Sequence, residues 1–145
     1  MTSATKLVGK LNSLLIYELS AIETYQHAFQ KIKNETVKAQ LQPLLAGHQA
    51  RLDRLRAAVA QAGGAPAQTS GLWGAFSRAV EAGAAIFGDK AAVAALEEGE
   101  VAGLADYKHD LEDLDPTSHK LVMGELLPAQ QDSYETIRKI HDAMK

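Results

Sequence analysis

The sequence predicts an all-α four-helix bundle, and three observations carry that expectation. Four long segments place apolar residues at helical spacing, no segment alternates as a strand does, and the stretches between them hold helix caps and breakers. The chain has 145 residues, 46% of them hydrophobic and 23% charged, which suits one globular domain over residues 1–145.

The first segment, from about Ala4 to Lys33, sets Leu7, Leu11, Leu14, Leu15, Ile22, Tyr25, Phe29 and Ile32 on one stripe. The second, from about Glu35 to Ala62, carries Val37, Leu41, Leu44, Leu52, Leu55 and Val59. Asn34 between them is an N-cap residue on a short connection, so the two should form an antiparallel hairpin. Gly63-Gly64 and Pro66 end the second helix. The third runs from about Lys90 to Leu114 with Val93, Leu96, Leu104, Tyr107, Leu111 and Leu114 inward. Asp115-Pro116 then supplies a cap followed by proline at the first helical position. The fourth continues almost to the end of the chain, with Leu121, Leu126, Ile137, Ile140 and Met144 inward.

The stretch from Gly63 to Asp89 is too long for a tight turn and about long enough to run the length of the bundle. Leu72, Trp73, Phe76, Val80, Ile86 and Phe87 give it a short amphipathic helix of its own. Two antiparallel hairpins joined by one long crossover follow. The apolar face formed by Trp73, Phe76 and Phe87 either covers the bundle or makes the contact of a homodimer.

Net charge is −3, which argues against a partner such as nucleic acid or an anionic membrane surface. The absence of cysteine excludes disulfides, thiolate metal sites and cysteine nucleophiles. No apolar run reaches the roughly 18 residues of a membrane span, and the start MTSATKLVGK lacks the apolar core of a signal peptide. The expected compartment is the cytoplasm.

The informative positions interrupt the stripes. Glu18, His48, Glu100 and Gln130 each stand near the middle of their helix at an inward position, with Ser133 one turn beyond Gln130. A buried, ionised glutamate without a partner costs several kcal/mol. Four polar groups at one level can satisfy one another or hold a cation. The spacing repeats: Tyr25 follows Glu18 by seven residues and Tyr107 follows Glu100 by seven. Leu44, His48 and Leu55 match Leu126, Gln130 and Ile137 in offset. The two hairpins thus read as copies related by a pseudo-two-fold, as a duplication would leave them. Pro43 and Pro128 interrupt the second and fourth helices close to this layer and should kink them.

The first helix, LNSLLIYELSAIETYQHA, resembles that of bacterioferritins. The GGAP turn, the Gly- and Trp-containing crossover and LEEGEVAGLADY are similar to a family of small bacterial ferritin-like proteins of unknown function. The resemblance implies the ferritin-like fold. Its two-metal pattern wants a glutamate on the first and third helices and Glu-x-x-His on the second and fourth. Glu18 and Glu100 fill the first two places, with Glu97 one turn earlier as the substitute, and His48 matches the second-helix histidine. Leu45 and Leu127 stand where the bridging carboxylates belong, and Gln130 replaces the second histidine.

No catalytic nucleophile or phosphate-binding loop is visible. Two functions remain from the residues. One is a bundle with a degenerate site, neither ferroxidase nor iron store, in a structural, stress-related or partner-binding role. The other holds one iron, zinc or manganese ion at Glu18, His48 and Glu100, with Glu97 and Gln130 as weaker ligands. In the metal-free case one acid stays protonated and donates to the other, or His48 sits charged between the two, or Arg51 swings in to neutralise both.

Overall fold

Thr2 opens the first helix by accepting the N–H of Thr5 on its hydroxyl, and α1 (Ser3–Lys31) runs from there. These elements belong to a computed structural model that describes residues 2–70 and 87–144. Asn34 caps α2 (Glu35–Gln61) by accepting from Val37 N at 3.1 Å. At the far end of α2, Gly63 takes a left-handed φ of 85°. Gly64 N–H then reaches Val59 O and Gly63 N–H reaches Ala60 O, the Schellman closure that such a glycine permits. Gly88, also at positive φ, precedes α3 (Asp89–Lys108).

The third helix stops six residues short of the expected Leu114. Asp110 adopts a left-handed backbone, φ 52° and ψ 35°, which a continuing helix cannot contain, and a 3-10 turn (Leu111–Asp113) follows. Asp115 caps α4 (Pro116–Leu121) on Ser118 N. The fourth rod then departs from a regular helix. A π-helical turn (Val122–Leu126) separates α4 from α5 (Leu127–Ala143). Pro128 explains its position: proline has no N–H to give the carbonyl four residues back, and its ring crowds that carbonyl. The wider turn, with Leu127 N–H on Val122 O, absorbs the misfit. Pro43, by contrast, sits inside an uninterrupted α2.

Helix directions follow from contacts at the two ends. Asn12 donates to Ala65 O and accepts from Ala67 N, so the chain leaving α2 lies beside the start of α1. Asp89 accepts Lys33 N and Asn34 N, both at 2.9 Å, so α3 begins at the α1–α2 turn. Lys10 ties the lower ends of α1 and α3 together by donating to Asp106 O. Consequently α2 and α3 run parallel, and residues 63–88 connect opposite ends of the bundle. Leu72, Trp73, Phe76, Val80 and Ile86, with the expected crossover helix, lie outside the described residues; Phe87 is exposed.

The apolar interior falls into two clusters. One gathers Ile32, Leu41, Leu44, Val93, Leu96, Ile137 and Ile140, and the other Leu11, Leu14, Leu55, Val59, Val122 and Leu126. Leu104, expected inward, is only partly buried, because its neighbour Gly103 is the residue α3 turns toward α1. Ile22, Phe29 and Met144 are likewise partly buried. All described residues in regular structure are helical, and none of these helices is long and apolar enough to cross a membrane.

Asp89 fastens three elements at one end, so Asp89→Ala should lower stability by about 1 kcal/mol, the usual loss for a capping acceptor. Urea denaturation of the variant against the parent chain measures it; an unchanged midpoint would show that the junction holds without the carboxylate.

Candidate functional site

Between the two apolar clusters lies a single polar layer. α1 contributes Tyr17, Glu18 and Tyr25, α2 contributes His48 and Arg51, α3 contributes Glu100 and Tyr107, and α5 contributes Gln130 and Ser133. All of these side chains are buried, with Glu18, His48 and Gln130 at 0% exposure. The expected inward positions are therefore brought together at one level.

His48 is the midpoint. Its Nδ1 lies 2.9 Å from Glu18 Oε2 and its Nε2 lies 2.5 Å from Glu100 Oε1. Burial alone would depress the imidazole pKa, but ionised Glu100 and Glu18 outweigh it and raise the group from 6.5 to about 9. The ring is an imidazolium at neutral pH, each N–H serving one carboxylate. Tyr25 tilts against it at 5.2 Å between centroids and Tyr17 meets it edge-on at 6.1 Å.

The tyrosines cross the bundle. Tyr25 on α1 donates to Glu100 on α3 at 2.8 Å, and Tyr107 on α3 donates to Glu18 on α1 at 3.2 Å. Burial, then the neighbouring carboxylates, push all three phenols well above their ordinary pKa, so they remain donors. Gln130 donates to Glu100 Oε2 and to Tyr17 Oη, each at 3.0 Å, and the Tyr17 hydroxyl donates in turn to Gly99 O at 3.2 Å.

Arg51 enters from α2 as a second cation. Its Nε faces Glu18 Oε1 at 3.4 Å, and its Nη2 donates to Gln130 Oε1 at 3.0 Å and Ser133 Oγ at 3.3 Å. Nη2 also comes within 3.0 Å of His48 Nδ1. With the ring protonated toward Glu18, that approach is a contact between two cations and no hydrogen bond. Burial works against the guanidinium's charge, yet Glu18 leads the partners that raise its pKa overall. The layer thus balances two carboxylates with one imidazolium and one guanidinium. No buried side-chain nitrogen or oxygen among the described residues lacks a partner.

This arrangement does not fit a two-metal centre. The two acids lie on opposite nitrogens of one ring, which keeps them from converging on a common ion, and Arg51 adds positive charge beside them. Leu45 and Leu127, at the bridging positions, offer no lone pair and pack with the apolar clusters. Among the described residues no group of three or more His, Asp and Glu side chains is placed to hold a metal. Glu97 stands apart from the layer, half-buried and 3.3 Å from His141 Nδ1.

Sequence reasoning found the acids, His48, Gln130 and Arg51, and passed over Tyr17 and Gly103. A Cβ at Gly103 would overlap the Tyr17 ring and hydroxyl and come within 2.6 Å of Gln130 Nε2. The signal was a glycine, one of two with Gly99 inside an otherwise helical stretch, which points to close approach by a neighbour.

Two outcomes follow. Because the folded pKa of His48 lies above its unfolded value, its stabilisation is complete below pH 6.5 and disappears as pH rises through about 9. The loss should amount to about 3 kcal/mol, read by urea denaturation across that window, and His48→Gln should flatten the profile. Gly103→Ala should cost about 2 kcal/mol by overpacking; a melting temperature equal to the parent's would mean that Tyr17 yields freely.

Residues 6–113, which take in α1 from its second turn, α2 and α3, match the family described as "Domain of unknown function (DUF2383)". Glu18, His48, Arg51 and Glu100 fall inside the match, and Gln130 and Ser133 outside it. No curated protein matches the chain, and no solved structure does. This chain, helical throughout the regular structure of its described residues, belongs to the DUF2383 family.

Proposed function

We propose that this chain is a ferritin-like bundle whose former metal layer has become a metal-free ion network, and that it acts as a non-catalytic structural or partner-binding protein. One observation carries the reading: the imidazolium of His48 spends both ring nitrogens on Glu18 and Glu100. A histidine so occupied has no lone pair for a metal, and Arg51 beside it repels one. The parallel course of α2 and α3 supports the ferritin-like connectivity, as does the register shared by the four inward polar positions. Leu45 and Leu127 remove the bridging oxygens on which two-metal chemistry depends.

Ferrous iron added in air tests this, with ferric absorbance followed against a protein-free control. The expected rate equals the control, with no iron retained after gel filtration. Rapid, protein-dependent oxidation of two irons per chain would overturn the proposal, and one ion retained per chain after gel filtration would favour the alternative of a single ion at Glu18, His48 and Glu100.

A further inference from the structure

We propose that this chain associates head to tail with further copies of itself, the acidic end of one bundle seating in a basic groove with an apolar floor at the opposite end of the next. The inference names a partner that the reading above leaves open, and it stands on surface features remote from the buried layer.

The groove lies where α1 turns into α2 and α3 begins, and its volume is about 1100 Å3. Its floor is apolar, built from Ile32, Val37 and Ile140. Phe87 stands at the edge with 75% of its surface exposed, more than any other large apolar side chain among the described residues. A lone exposed ring needs no explanation, but one that borders an apolar floor extends a contiguous patch. The rim is cationic: Lys31, Lys33 and Lys90 line it, with Asp89 between them. Asp89 is already engaged, one carboxylate oxygen on Lys33 N–H and the other on Asn34 N–H. The rim thus presents surplus positive charge on a chain whose net charge is −3.

The matching surface is at the other end of α3. There Asp106, Asp110, Glu112, Asp113 and Asp115 crowd into ten residues. The first four all act on the buried Lys10 ammonium, so they converge in space as well as in sequence. Even with Lys6 and Lys108 counted beside Lys10, acids outnumber bases at this end. Leu111 and Leu114, both partly buried, lie among the acids and offer apolar surface to Phe87 and the groove floor.

The two ends are separated by the length of α3, about 30 Å for its span. That is several times the screening length of about 10 Å, so each end presents its own field to an approaching molecule. Pairing like ends would set lysine against lysine or acid against acid, and only the head-to-tail arrangement joins opposite signs. Surfaces at opposite ends of a rod stack without closing, so the association is open-ended. Area sets its strength. Helices about 10 Å apart give a bundle end of roughly 500 Å2 per partner, which falls below the roughly 1,200 Å2 total of a stable interface. The contact is therefore weak, reversible and sensitive to salt.

The experiment is sedimentation velocity on the full chain at concentrations up to about 1 mM, where so small a contact is populated. At low ionic strength the weight-average sedimentation coefficient should climb past the dimer value as concentration rises. In about 1 M salt, where the screening length is about 3 Å, it should return to that of the monomer. Phe87→Ser leaves the charge unchanged and should weaken association about tenfold. Lys33→Glu with Lys90→Glu should be monomeric alone, as should Glu112→Lys with Asp113→Lys, and an equimolar mixture of the two variants should associate again. Circular dichroism equal to the parent's confirms that each variant is folded. A parent chain that stays monomeric at low salt overturns the inference, as does association that stops at a dimer, survives 1 M salt or ignores both Phe87→Ser and the charge reversals. A monomeric parent that binds a glutamate-rich peptide instead would give the groove to a different acidic partner and likewise overturn it. Neither result touches the iron test, which probes the interior.

Discussion

Two carboxylates lie in the dry centre of a bundle with no bulk water to solvate them, and everything at mid-height answers to that. Taking an ionised acid out of water costs several kcal/mol, recovered only through close opposite charge and well-placed donors. His48 and Arg51 provide the charge, and Tyr25, Tyr107 and Gln130 provide the donors. Gly103 belongs to the same arrangement, since it lets Tyr17 and Gln130 lie against α3. The layer divides the core into its two apolar halves, and it fixes how far each helix can slide. A shift of one turn along any rod would set a charged group against leucine.

Such a network is a poor way to gain stability, because leucine in the same volume would pack without a desolvation penalty. Its effect is on which arrangement forms. Each donor meets an acceptor on a different helix: α1 with α3 through the tyrosines, α2 with both through His48, and α5 with α2 and α3 through Gln130. Alternative packings of the same amphipathic rods would strand at least one charge.

Much of this was legible in the sequence, for reasons that differ by residue. The helices and their order followed from periodicity and from caps such as Asn34 and Asp115, whose side chains act on backbone within three residues. The layer was legible because polar residues at apolar positions are costly and thus informative. The end of α3 was not, since Asp110 turns left-handed where the local sequence still has helical spacing. The π turn was not either: Pro128 announced a disturbance, but not that it would take the form of one wide turn from Val122 to Leu126. Tyr17 was hidden because its hydroxyl is placed by a missing side chain on another helix. Which side of the imidazole each acid occupies was not legible either, because spacing along a helix carries no such information.

The cations and acids are unequally shared between the hairpins. The α1–α2 half brings Glu18, His48 and Arg51 to the layer and so carries one surplus positive charge. The α3–α5 half brings Glu100 and carries one negative. Two copies of the first half would face cation to cation, and two copies of the second would bury acid against acid. Only the unlike pair is neutral. Similar as the hairpins are in spacing, the charges each brings to the layer disfavour its own kind and favour the other.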